Sequence, residues 1–148
     1  MSQFGKVIYA SAEQGDCNDM KQAWKRNGLL DMRNVYLGVE VDFSGLLEEV
    51  QKRGKRKLII LDSIDYINLT KEQYQELHTI AKRYMMVFTS WSSGSSPKTQ
   101  SAKDIEYMCN GKIRVEHYVA FGKMRSGGNV PYVIYEARAK QKHSFVNR

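Results

Sequence analysis

"KRKLIILDSIDYI" spans residues 55–67, and its reading decides the fold. A basic cluster gives way to the aliphatic run Leu58–Leu61, which stops on Asp62 and Ser63. A short apolar run without alternation, bounded by polar residues, is the pattern of a strand covered on both faces, as in a parallel sheet. Strand and helix patterns alternate upstream of it. "KVIYASAE" (6–13) is rich in β-formers and ends in small and acidic residues, so it reads as a strand. "DCNDMKQAWKRNGLL" (16–30) puts Cys17, Met20, Ala23 and Trp24 on one helical face, with Gly28 as its stop. "NVYLGVE" (34–40) is a second strand. "DFSGLLEEVQKRG" (42–54) sets Phe43, Leu46, Leu47 and Val50 at helical spacing and ends at Gly54.

The alternation continues downstream. "LTKEQYQELHTIAKRY" (69–84) offers a Thr70 cap with Gln73 three residues on, and a buried stripe of Tyr74, Leu77, Ile80 and Ala81. "MMVFTS" (85–90) is a fourth strand, "WSSGSSPKTQ" (91–100) a flexible stretch, and "SAKDIEYMCNG" (101–111) a short helix. "KIRVEHYVAFGK" (112–123) and "VPYVIYEARAK" (130–140) read as two strands joined through the turn "MRSGGN". The expected fold is a three-layer αβα domain with a mostly parallel sheet and a carboxyl-terminal antiparallel strand pair at its edge. Residues 1–148 read as one domain, with a basic tail over 139–148.

Composition bounds the function. At 148 residues, 42% apolar and 26% charged, the chain is globular in character. It has no apolar run near the roughly 18 residues that span a bilayer and no secretory pattern, so a cytoplasmic location without membrane partners is expected. Cys17 and Cys109 have neither metal spacing nor a CxxC arrangement, and His78, His117 and His143 lack ligand spacing. The net charge of +7 favours a polyanion partner, because cations that meet phosphates release counterions.

Ligands of open parallel sheets bind beyond the carboxyl ends of the strands, where Glu13, Asp62, Ser90 and Trp91 fall. A carboxylate at a strand's tip can hold the water shell of Mg²⁺ near phosphate oxygens, which makes Asp62, with Ser63 beside it, a nucleotide and metal candidate. Glu13 can orient or deprotonate a water there. In "GKMRSGG" (122–128), Lys123 and Arg125 sit two residues apart before a turn, placed to reach a phosphate across a subunit interface. Lys98 and Lys103 can follow a nucleic-acid backbone, with Trp91 as a stacking surface. The run "KRGKRK" (52–57) reads as a solvated connection.

Taken in order, these motifs resemble the RecA-like ATPase core shared by RecA/RadA recombinases and DnaB-type helicases, over residues 6 to 138. "VIYASAEQ" is similar to the strand ending in that family's catalytic glutamate, and "KLIILDSIDYI" to its Walker B strand. "MVFTSWSSGSSPKTQSAKDIEYMCNGKIRVE" resembles the sensor strand and first DNA-binding loop, and "KMRSGGNVPYVIY" the Lys-x-Arg finger. The resemblance implies Glu13, Asp62, Lys123 and Arg125 as catalytic positions, Mg-ATP as cofactor, single-stranded DNA as partner, and an oligomer. Two departures accompany it. Trp91 stands where the family usually carries a sensor glutamine. No phosphate loop GxxxxGK[ST] is present: Gly5-Lys6, Gly54-Lys55, Gly111-Lys112 and Gly122-Lys123 all lack the earlier glycine and the following Ser or Thr.

That loop's N–H groups and Lys anchor the triphosphate, so this chain alone is expected to bind no nucleotide and to hydrolyse none. In the family the loop's strand lies beside the sensor strand, so its loss is expected to expose the edge of "MMVFTS" or bring that strand against "KIRVEHY". The expected function is a nucleic-acid-associated or subunit-interaction module of recombination, repair or replication. The alternative is part of an active ATPase whose phosphate loop lies upstream or on a partner chain. A different α/β domain with similar strand ends is a third reading.

Overall fold

The computed structural model describes residues 5–15, 17–39, 42–52 and 57–143. Where the sequence reading treats 1–148 as one domain, residue contacts divide the chain into two compact units, Met1–Ile105 and Glu106–Arg148.

In the first unit, β1 (Lys6–Ser11), β2 (Val35–Val39), β3 (Lys57–Asp62) and β4 (Met85–Phe88) form an all-parallel sheet in the order β2-β1-β3-β4. The chain enters at β1 inside the sheet, steps out to β2, crosses back to β3 and moves on to β4. Right-handed crossovers that step in opposite directions must lie on opposite faces, and the helices do so. On one face, Trp24 of α1 (Asn18–Arg26) meets Tyr9 edge-on, with ring centroids 6.3 Å apart. On the other, Glu49 of α2 (Phe43–Gln51) bonds Lys6, and Tyr74 of α3 (Lys71–Ile80) packs on Phe88 at 5.7 Å.

Register assigns the side chains to faces. Ile8, Ala10, Ile59 and Leu61 are buried on the α2/α3 face, as are Leu46, Val50 and Leu77 of those helices. Each fully buried Leu or Ile contributes about 1.5–3 kcal/mol. Val7, Tyr9, Ser11, Ile60 and Asp62 point to the α1 face.

Local chemistry sets the helix ends. Cys17 caps α1 through its sulfur, which accepts the Met20 N–H at 3.4 Å, and Gly28, at φ +64, stops it before a 3₁₀ turn at Leu29–Asp31. The Thr70/Gln73 capping box forms as the sequence predicts. The stripe of α3 is narrower than expected: Tyr74, Leu77 and Ala81 are buried, whereas Ile80 is exposed. Gly54 and most of the 52–57 basic run lie outside the described residues. The stretch 91–100, expected to be irregular, folds into a small hairpin of β5 (Ser92–Ser93) and β6 (Ser96–Pro97) turned at Gly94, whose φ is +63. Helix α4 (Gln100–Met108) follows.

The second unit corrects the expected edge pair. Its strands β7 (Gly111–Glu116), β8 (Val119–Met124) and β9 (Tyr132–Val133) form a separate antiparallel sheet. "KIRVEHYVAFGK" is two strands, because His117 and Tyr118 take φ of +44 and +64 and turn the chain between Glu116 and Val119. "EARA" is not strand but a helical turn, α5 (Glu136–Ala139), extended by the Glu136–Lys140 ion pair at 2.6 Å. Glu, Ala and Arg are strong helix formers, which outweighs the strand pattern just before them. Within the expected basic tail, Ala139 is buried, and residues 144–148 lie outside the described ones.

Candidate functional site

The switch in chain direction between β1 and β3 opens a crevice at their carboxyl ends, and Asp62 sits there. Ser11 of β1 lies opposite Asp62, so Tyr9, two residues earlier, shares its face; Thr89 directly follows β4, beside Asp62 on the other flank. Both hydroxyls donate to the carboxylate, Tyr9 to Oδ2 and Thr89 to Oδ1 at 2.5 Å. Burial, then the hydrogen bond to Asp62 and its charge, push the Tyr9 phenol well above its ordinary range. Tyr9 therefore remains a protonated donor at neutral pH.

The backbone gathers the rest of the site. The Asp62 carbonyl accepts the N–H groups of Ala12 (2.9 Å) and Glu13 (3.4 Å), which brings Glu13 next to Asp62 with its side chain exposed. Ser11 and Ser63 flank Asp62, both buried, and their hydroxyl oxygens have no partner among the described residues. An unpaired buried hydroxyl is uncommon and marks a place where a further polar group is accommodated.

A second group forms around Asp65. Its Oδ2 accepts the Trp91 N–H at 2.8 Å and its Oδ1 accepts the Thr99 hydroxyl at 2.7 Å, so one carboxylate holds both ends of the β5–β6 hairpin. The Lys98 N–H donates to the Trp91 carbonyl at 2.8 Å and closes the hairpin's base. Trp91 is 45% exposed and meets Tyr66, 54% exposed, edge-on at 6.4 Å; the Lys98 ammonium lies 5.7 Å from the centre of the indole. No family model matches the chain, and neither does any curated protein or solved structure.

The structure thus brings Glu13, Asp62 and Ser63 together, and separately Trp91 and Lys98. Lys103 is exposed on α4. Lys123 and Arg125 belong to the second unit and are exposed; Lys123 lies on β8 opposite Lys112, and Arg125 sits beyond the strand's end, where its guanidinium donates to the Tyr107 carbonyl at 3.3 Å.

Mg²⁺ with a triphosphate needs carboxylates, several waters and an amide cradle. Among the described residues no group of three or more His, Cys, Asp or Glu could hold a metal. The residues present do not by themselves fit that cofactor. Nor is any described helix long and apolar enough to cross a membrane.

Sequence reasoning missed Tyr9, Thr89, Asp65 and Tyr66. Tyr9 was accessible through alternation, since it lies two residues before the strand end that faces Asp62. Thr89 required the β3–β4 register, which no local pattern carries.

Proposed function

We propose that this chain is a RecA-like module without a phosphate-binding loop, acting by association with single-stranded nucleic acid and with neighbouring subunits. The observation that carries the reading is the anchored aromatic hairpin: Trp91 and Tyr66 exposed side by side, with Lys98 against the indole. Successive bases stack on such rings and cations meet the intervening phosphates. The net charge of +7 and the exposed Lys103 act in the same direction. Anisotropy titration of a labelled oligothymidylate tests it. Affinity should fall steeply with salt, Trp91→Ala should cost about 1–3 kcal/mol, and Lys98→Ala should lower the salt slope by about 1. Salt-independent binding, or an unchanged affinity in Trp91→Ala, overturns the reading.

The edge of β4, which pairs with no second strand among the described residues, favours a second reading, in which this chain completes an active ATPase with a phosphate-loop segment carried elsewhere. Glu13 and Asp62 would then serve that nucleotide, and Lys123 and Arg125 a neighbouring subunit's. Calorimetry separates the two: Mg-ATP gives no heat with this chain alone under either reading, and gives heat with a loop-bearing partner only under the second.

A further inference from the structure

A cavity of about 640 Å³ lies between α1 with its 3₁₀ turn and the sheet face that carries Tyr9 and Asp62. It is partly open to solvent, and its size falls within the range of about 300–1,000 Å³ of small-ligand sites.

The lining is divided along the strand axis. Trp24, Met20, Val35 and Ile60 make apolar walls, and Leu29 of the 3₁₀ turn and Met32 just after it line it as well. At the carboxyl end of the strands the lining turns polar, with Gln14, the Tyr9 phenol and the Asp62 carboxylate. Tyr9 stands edge-on to Trp24, so an indole and a phenol ring bound the same space. Methionine sulfur adapts to an aromatic guest at little cost in rotamer strain. A carboxylate beside apolar walls selects a cation, because a neutral guest leaves it desolvated without a charged partner.

From this division of the lining we infer that the cavity is a binding site for a small aromatic cation, its ring lying against Trp24 and Met20 and its amidinium or ammonium head meeting Asp62. The ring needs no polar partner, and the head replaces the water that would otherwise solvate the carboxylate. Tyr9 and Thr89 hold that carboxylate in place without neutralising it, since both only donate hydrogen bonds. The site is independent of nucleic-acid binding by the Trp91 hairpin, and either can fail alone.

The chain has two tryptophans, so Trp91→Phe leaves Trp24 as the sole indole reporter. Benzamidine and its uncharged isostere benzamide are titrated into that full-length protein. Benzamidine should change Trp24 emission saturably and bind about tenfold more tightly than benzamide, the effect of one charge-assisted hydrogen bond. Asp62→Asn should abolish the preference for the cation while leaving weak binding of both. Ala23→Leu, which fills the cavity from α1, should remove binding of both with the melting transition retained. No saturable response to benzamidine at millimolar concentration, equal affinities for the two probes, or undiminished binding in a folded Ala23→Leu protein overturns the inference. The comparison of the two probes needs no further substitution, so it decides even where a variant fails to fold.

Discussion

Two aspartates three residues apart do different work, and the difference is set by what donates to each. Asp62 receives two side-chain hydroxyls and lines a cavity, so its carboxylate is held at a fixed place on the cavity's wall. Asp65 receives a backbone N–H and a hydroxyl from opposite ends of one hairpin, which makes it the anchor of the residues proposed above to meet single-stranded nucleic acid. Replacing Asp65 by Ala leaves the Trp91 N–H and the Thr99 hydroxyl to water. Trp91 is nearly half exposed and Thr99 only partly buried, so the stability cost should stay near 1 kcal/mol. The hairpin, however, loses its tie, and Trp91 must be ordered when it binds. Single-strand affinity should therefore fall several-fold in Asp65→Ala, with Asp65→Asn intermediate because the amide oxygen still accepts one bond. Oligothymidylate titration checks this, and an Asp65→Ala affinity equal to wild type would show that the anchor positions nothing.

Among the elements, α2 is tied to β1 by charge as well as by packing. Glu49 bonds Lys6 across to the strand and Lys52 within the helix, the latter at 2.7 Å. Burial pushes the Glu49 carboxyl up, but the hydrogen bonds from Lys52 and Lys6, with their charges, outweigh it and leave its pKa below the ordinary value. A depressed carboxyl contributes stability above its unfolded pKa of about 4.3, and that contribution is lost as pH falls through the folded value. Lys6→Met, which keeps the apolar stem, should cost about 1 kcal/mol or less at pH 7. The pH-dependent part of that difference should begin to shrink as pH falls below about 4.3 and vanish once Glu49 is protonated in the folded chain, while the lost contact of Lys6 with the Tyr36 ring persists. Urea midpoints of both proteins across pH 3–7 measure it, and a pH-independent difference would exclude the ion pair as its source.

The same elements show what local sequence carries. Thr70 with Gln73, and Gly28 after Asn27, are end signals written within four residues, and both formed where they were read. The β7–β8 turn was hidden because His117 and Tyr118 adopt positive φ without the Asn-Gly or Asp-Gly chemistry that advertises such turns. The apolar alternation runs straight through them. The core strand Leu58–Leu61 was legible from composition alone, whereas the partners of its terminal acid lie on two other strands and depend on register.

For the whole molecule, the decisive feature is that the parallel sheet ends, among the described residues, in an uncharged strand. β4 closes the parallel sheet with the uncharged sequence Met85–Phe88, and Met85 is 56% exposed. Among the described residues β7 pairs with β8 alone but carries Lys112, Arg114 and Glu116, while Ile113, Val115 and Tyr132 share one exposed face of the antiparallel sheet. Unpaired N–H and C=O groups on an apolar edge are a template for another strand, and natural edges are usually protected by Lys, Pro or a bulge. Subunit association through β4 is therefore expected to be sensitive to one charge placed there. Met85→Lys alters a residue more than half exposed, so the urea midpoint should move by no more than about 0.5 kcal/mol in stability. Sedimentation velocity should show concentration-dependent association of the wild-type chain that Met85→Lys suppresses. Ile113→Lys, a charge on the other sheet, serves as the comparison: if it suppresses association and Met85→Lys does not, the antiparallel face is the contact. If the wild-type chain remains monomeric at every concentration, neither edge recruits a second copy.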